Sequence, residues 1–161
     1  MLRQSTLKFL PKFNSIKPIN NPVNTMEFDY KLFFDGASKG NPGLAGAGAV
    51  IYYKEKEIWH GSKFVGENAT NNEAEYNGLI IGLNKAIDLN IKSLLVNGDS
   101  LLVINQMTGK YKCYSQNLLP FYNSAKELSK KFDTIQFQHI YRNFNKRADE
   151  LSNIAISSFQ V

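Results

Sequence analysis

The sequence predicts an α/β protein with a mixed β-sheet flanked by helices. Short apolar runs with two-residue alternation fill the first part of the chain, and helical spacings then interleave with further strands, in the order βββ-α-β-α-α-β-α. Strands separated by helices pair in parallel, whereas the first three are close enough in sequence to form an antiparallel meander. One five-stranded sheet of three antiparallel and two parallel strands follows. The size agrees: 161 residues, 43% hydrophobic and 12% aromatic, suit one globular domain with a full core.

Each element has its own signal. Asp29 to Asp35 (DYKLFFD) reads as a short strand that ends on an acid. Gly46 to Lys54 and Lys56 to Val65 supply the next two strands, joined through a charged turn. The period then changes. Tyr76, Leu79, Ile80, Leu83 and Ile87 recur at helical spacing, and Thr70 with Glu73 three residues later marks the start as a capping box. Ser93 to Asp99 (SLLVNGD) is a buried type of strand, again ending on an acid. A short helix through Leu102 to Met107 stops near Gly109, and a longer helical pattern spans Leu118 to Phe132. Thr134 to Tyr141 alternates as a strand, and KRADELSNIAISSF closes the chain as a helix.

Composition excludes several classes. No apolar run reaches the roughly 20 residues a membrane-spanning helix needs. A single cysteine, Cys113, excludes an internal disulfide and a cysteine-built zinc site. The formal charge of +5 is unevenly placed: residues 1–26 hold Arg3, Lys8, Lys12 and Lys17 and no acid, and removing those four leaves 15 basic against 14 acidic residues. The surplus describes the tail, so it is no evidence of a nucleic-acid footprint. That segment, 1–26, is basic and broken by three prolines. It reads as a flexible tail of the organelle-presequence type, mitochondrial in character, or as sequence upstream of a start at Met26. Residues 27–161 form the domain. The location expected is intracellular: mitochondrial if the tail is a presequence, otherwise cytoplasmic or nuclear.

The chemistry-bearing stretch is FFDGASKGNPGLAGAG, Phe33 to Gly48. It is not a P-loop, since no Gly-Lys-Ser/Thr ends it, and not a dinucleotide loop, since Gly46 and Gly48 run into a strand. The acids are more informative. Asp35 and Asp99 end strands that should be parallel neighbours, which puts both carboxylates at the carboxyl edge of the sheet, where open α/β sheets bind ligands. Glu75 falls in the first turn of the helix that begins at Thr70, and Asp149 in the first turn of the last helix. Four clustered carboxylates repel one another unless a cation joins them. An all-oxygen donor set without His or Cys suits Mg²⁺ or Mn²⁺. Two such ions form the working centre of many nucleases.

The stretches DGASKGNPG…AGAGAV, ATNNEAEYNGLIIGL, NGDSLLVINQMTGKYK and RNFNKRADELSNIAI resemble, in order, the successive motifs of type 1 ribonuclease H, most of all its plant- and archaea-like branch. The resemblance runs from about Tyr30 to Ile156. It implies the RNase H-like fold and a metal-dependent endonuclease that cuts the RNA strand of RNA–DNA hybrids, leaving 3′-hydroxyl and 5′-phosphate ends. Asp35, Glu75, Asp99 and Asp149 would be the catalytic ligands of two Mg²⁺ ions, with Mn²⁺ as a substitute. Glu73 matches a variable position and keeps its capping role. Gly36, Asn41, Thr70, Asn71, Asn72, Lys110, Tyr111 and Lys112 would contact the nucleic acid, with Gly36 in a turn that brings backbone close to the RNA strand. Arg142 occupies the place where the better-known members carry a catalytic His. His139 has the sequence spacing of that His but falls inside the final strand, and His60, beside Trp59, is structural. The substrate implied is an RNA–DNA hybrid, with no obligate protein partner, no membrane and a monomeric state. Two alternatives stay open: a non-catalytic nucleic-acid-binding module of the same fold, and a DNA-directed nuclease of the wider superfamily.

Overall fold

A computed structural model describes residues 26–160; the basic tail of 1–25, with its presequence reading, lies outside the described residues. Three antiparallel strands open the domain: β1 (Tyr30–Lys39), β2 (Gly43–Tyr53) and β3 (Lys56–Ala69). Then come α1 (Asn71–Asp88), β4 (Ser93–Gly98), α2 (Leu101–Met107), α3 (Leu119–Ser129), β5 (Thr134–His139), a single 3-10 turn (Arg142–Phe144) and α4 (Lys146–Phe159). The sheet order is β3-β2-β1-β4-β5, with β1–β4 and β4–β5 parallel, so the expected mixed sheet of five strands is what forms.

Strand alternation divides the residues between two faces. Leu32, Phe34, Ala49, Ile51, Leu94 and Val96 point to one side and pack with Tyr76, Leu79 and Leu83 of α1 and with α2 and α3 residues in the main core. The other face of β1 and β2 receives α4. Gly46 and Gly48 make that docking possible: a Cβ at Gly46 would lie 2.3 Å from the Ser152 carbonyl oxygen, and one at Gly48 would lie 2.6 Å from that of Ala148. Gly36 does the same for α1, where a Cβ would stand 2.1 Å from the Ala74 carbonyl carbon and the Glu75 nitrogen. The glycine-rich run therefore seats two helices on opposite faces of one hairpin. A buried bond from the Tyr76 hydroxyl to Gln106 Oε1, 2.6 Å, joins α1 to α2.

Four expectations need correction. Asp35 does not end its strand. Parallel pairing with β4 stops at Phe34↔Gly98, but antiparallel pairing with β2 continues through Gly36↔Ala47 to Lys39↔Leu44 and carries β1 four residues past Asp35. Gly36 therefore lies in extended strand, and the turn comes at residues 40–42. Glu75 sits beyond the first turn of α1, whose only first-turn acid is Glu73. β5 stops at His139, because its partner β4 ends at Gly98; the Ile140 N–H makes the last ladder bond, to the Gly98 carbonyl, and the chain then winds into the 3-10 turn. The capping box at Thr70 forms as expected: its Oγ1 accepts from the Glu73 N–H, and Glu73 Oε2 accepts from the Thr70 N–H.

Candidate metal centre and nucleic-acid cleft

Parallel register does the first part of the assembly. Phe34 pairs with Gly98, so Asp35 and Asp99, one residue on, emerge side by side where the parallel pairing of β1 with β4 ends. The second part comes from α1. Gly36 lets its backbone close onto β1, and the helix thereby brings Glu75 to the same place. Ligand oxygens of Asp35, Glu75 and Asp99 lie within 4.8 Å of one another. Asp35 is 3% exposed and Glu75 8%, whereas Asp99 is half-buried.

The electrostatics are those of acids crowded together out of water. Burial first, then the Asp99 and Asp149 charges, push the Asp35 carboxyl up to about 6, against the opposing pull of hydrogen bonds from the Ser152 hydroxyl and the Gly36 amide. Burial again, followed by Asp35 and Asp99, holds Glu75 well above the usual carboxylate range, only partly offset by Arg142. Among the described residues no Lys or Arg pairs with any of the three acids, and Glu75 Oε2 is buried without a hydrogen-bond partner. Buried carboxylates of this kind are costly unless paired or bound to a cation. The all-oxygen donor set, the close approach and the orphaned oxygen together fit a hard divalent ion.

Asp149 stands apart from this trio. It sits in the first turn of α4, close enough to act electrostatically on Asp35, with Arg142 Nη2 4.0 Å from its Oδ1. The Arg142 side chain is 80% exposed and lines the same cleft as the acids. That cleft has a volume of about 560 Å³. Gly36, Asn71 and Asn72 line it, as do His139 and Tyr141. His139, the last residue of β5, places Nε2 3.2 Å from the Asp99 carbonyl oxygen. Asn41 and Thr70 lie beside it and brace its wall. Asn41 Oδ1 accepts from the Asn71 N–H, Asn71 Oδ1 accepts from the Ser38 N–H, and Thr70 caps α1, so the β1–β2 hairpin tip and the start of α1 form one rigid unit. Lys110, Tyr111 and Lys112 are exposed on the loop after α2, and none of them lines the cleft. His60 is held by Glu57, 2.8 Å from Nδ1, in the β3 ion cluster that also receives Arg147.

Two residues of the site escaped the sequence reading. Asn145, 1% exposed, precedes α4 but makes no capping bond. Its Nδ2 donates instead to the Phe34 carbonyl at 2.8 Å and to Asp99 Oδ2 at 3.2 Å. Ser152, fully buried on α4, has its hydroxyl 3.0 Å from Asp35 Oδ2. An Asn before a helix ordinarily signals a cap, and a Ser inside one signals little, so neither advertises its partner.

Known proteins place this arrangement. Residues 33–155 match the family described as reverse transcriptase-like. Ribonuclease HI of Halobacterium salinarum is 40% identical over 125 residues, covering 77% of this chain and 62% of that protein. A bifunctional protein of Mycobacterium tuberculosis is 41% identical over 77% of this chain, which spans about a third (34%) of its length. The crystal structure of RNase H1 from H. salinarum superposes with a TM-score of 0.76 at 37% identity, over 80% of this chain and 98% of that one. LC11-RNase H1, solved in complex with an RNA/DNA hybrid, gives a TM-score of 0.77 at 33% identity, over 82% and 99%.

Proposed function

The chain belongs to the type 1 ribonuclease H family, and from that premise we propose that it is a divalent-metal-dependent endonuclease hydrolysing the RNA strand of RNA–DNA hybrids. The observation that carries the proposal is the buried, uncompensated trio of Asp35, Glu75 and Asp99 at the base of an open cleft. A binding module without catalysis has no use for a carboxylate cluster that raises its own proton affinity.

Asp35, Glu75 and Asp99 with Asp149 would hold two Mg²⁺ ions, or Mn²⁺ in their place. Asp35 would contribute to both ions, Glu75 and Asp99 would help hold the one that activates water, and Asp149 would help hold the other. When bound, the ions supply activation of the attacking water and charge neutralisation at the leaving oxygen, giving 3′-hydroxyl and 5′-phosphate ends. The protein's own groups do the selecting. Glu75 accepts a hydrogen bond from a ribose 2′-hydroxyl, the group that tells RNA from DNA. Asn41 contacts the substrate from the hairpin tip, where it is fastened to Asn71 at the start of α1; Asn71 and Asn72 touch the minor groove, and the backbone at Gly36 approaches the RNA strand. Thr70 offers its hydroxyl and the amino end of α1 to a DNA phosphate. Arg142, exposed beside Asp149, follows the charge as product leaves. Lys110, Tyr111 and Lys112 extend contact along the DNA strand.

The test is a hybrid labelled separately on each strand, incubated with Mg²⁺ beside an Asp35→Asn variant and a duplex-DNA control. Cleavage of the RNA strand alone, lost in the variant, is expected. Binding without cleavage would favour the non-catalytic module, and cleavage of duplex DNA would favour the DNA-directed nuclease.

A further inference from the structure

Helix α4 carries one buried hydroxyl, and the proposed chemistry does not use it. Ser152 is fully buried, and its Oγ lies 3.0 Å from Asp35 Oδ2 and 2.8 Å from the backbone carbonyl oxygen of Asp149. A serine hydroxyl has one proton, which here lies between two acceptors, and an ionised carboxylate is the stronger of them. With the proton turned fully to the Asp149 carbonyl, an oxygen lone pair would face the carboxylate without water to intervene. The hydroxyl thus ties the carboxylate of one acid to the main chain of another.

We propose that Ser152 is a positioning residue for metal binding: it fixes the orientation of the Asp35 carboxylate and its spacing from Asp149, so that the four acids meet a divalent ion already arranged. The proposal rests on the metal-centre reading above. Three features of the structure support it. The bond spans 117 residues of sequence, so no local turn accounts for it. α4 is held against the sheet independently, by the close fit at Gly46 and Gly48 and by the Ser62 hydroxyl bonding the Leu151 carbonyl at 2.8 Å, so docking does not depend on this hydroxyl. Asn145, the residue just before α4, gives Asp99 the equivalent support, so α4 and the residue that leads into it orient both acids with neutral donors. Neutral donors suit this task, because a cationic one would compete with the metal for the same oxygens.

The experiment measures Mn²⁺ affinity by electron paramagnetic resonance on substrate-free protein, for the unaltered chain, Ser152→Ala, Ser152→Cys and Ser62→Ala, with Asp35→Asn as the site control. Partners that orient metal ligands typically contribute tenfold or more to affinity. Ser152→Ala and Ser152→Cys should each weaken Mn²⁺ binding by about tenfold and raise the metal concentration for half-maximal hybrid cleavage similarly, with KM for the hybrid unchanged. Ser62→Ala, which removes a hydroxyl bond to the same helix without touching an acid, should leave affinity alone. The Cys variant fills the volume but donates weakly, so restored affinity in it would mean that packing and not the hydrogen bond matters, and would overturn the proposal. Unaltered Mn²⁺ affinity in Ser152→Ala would overturn it too. If the unaltered chain binds no Mn²⁺ that Asp35→Asn abolishes, the metal-centre reading itself fails, an outcome separate from either of these.

Discussion

Replacing Asp35 by Asn should stabilise the metal-free protein while abolishing its activity. Asp35 is 3% exposed, and its carboxyl is pushed from 3.8 up to about 6 by burial and by the charges of Asp99 and Asp149. A carboxyl with a raised folded-state pKa contributes stability that is complete below the unfolded value and is lost as pH rises through the folded one. From 3.8 to about 6 the shift is worth about 3 kcal/mol, all of it missing at pH 8. Asn keeps the shape, can still accept the Ser152 hydroxyl and carries no charge. In EDTA at pH 8, Asp35→Asn should therefore be more stable by up to about 3 kcal/mol, or roughly 6–12 °C in Tm for a domain of this size. At pH 4.5 the gain should shrink to about 1 kcal/mol, because the folded protein then holds the proton already. Thermal melts by circular dichroism at the two pH values read both numbers. Mg²⁺ should raise the Tm of the unaltered chain and leave the variant unmoved. A variant no more stable than the parent in EDTA at pH 8 would refute the claim that burial and mutual repulsion make these carboxylates costly.

Other changes separate fold from function. Gly36→Ala drives a methyl into the Ala74–Glu75 backbone, which cannot yield as a side chain would; it should cost about 3 kcal/mol by chemical denaturation and remove Mn²⁺ binding, since α1 carries Glu75. Thr70→Ala removes the hydroxyl that accepts from the Glu73 N–H, leaving the Thr70 N–H bonded to Glu73 Oε2, and should lower stability by about 1 kcal/mol and weaken hybrid binding, with the rate at saturating substrate kept. Lys110→Ala with Lys112→Ala should leave the Tm unchanged and raise KM without changing kcat. It should also lower the slope of log affinity against log salt by about 2.

Much of the architecture could be read before any coordinates. Period changes located each element, and two acids following apolar runs on neighbouring strands were enough to bring Asp35 beside Asp99. What stayed hidden depends on contacts between distant parts of the chain. Gly36 to Lys39 has little intrinsic preference for a strand, and only pairing with β2 keeps it extended past Asp35. Glu75 reaches the site because Gly36, 39 residues earlier, lets α1 approach, a relation no helical pattern encodes. Asn145 and Ser152 look like a cap and a helix filler. Their partners, Phe34 and Asp35, lie 111 and 117 residues away. The separation of Asp149 from the trio follows from how α4 seats on β2, a matter of packing geometry and not of residue type.

The central claim is that Asp35, Glu75 and Asp99 form a divalent-metal centre, and diffraction from crystals soaked in Mn²⁺ tests it most directly through the anomalous signal of the ion. The account predicts anomalous peaks within coordination distance of oxygens from all three acids, absent from Asp35→Asn crystals. No peak among those carboxylates, in a protein that still cleaves the RNA strand of a hybrid, would contradict it.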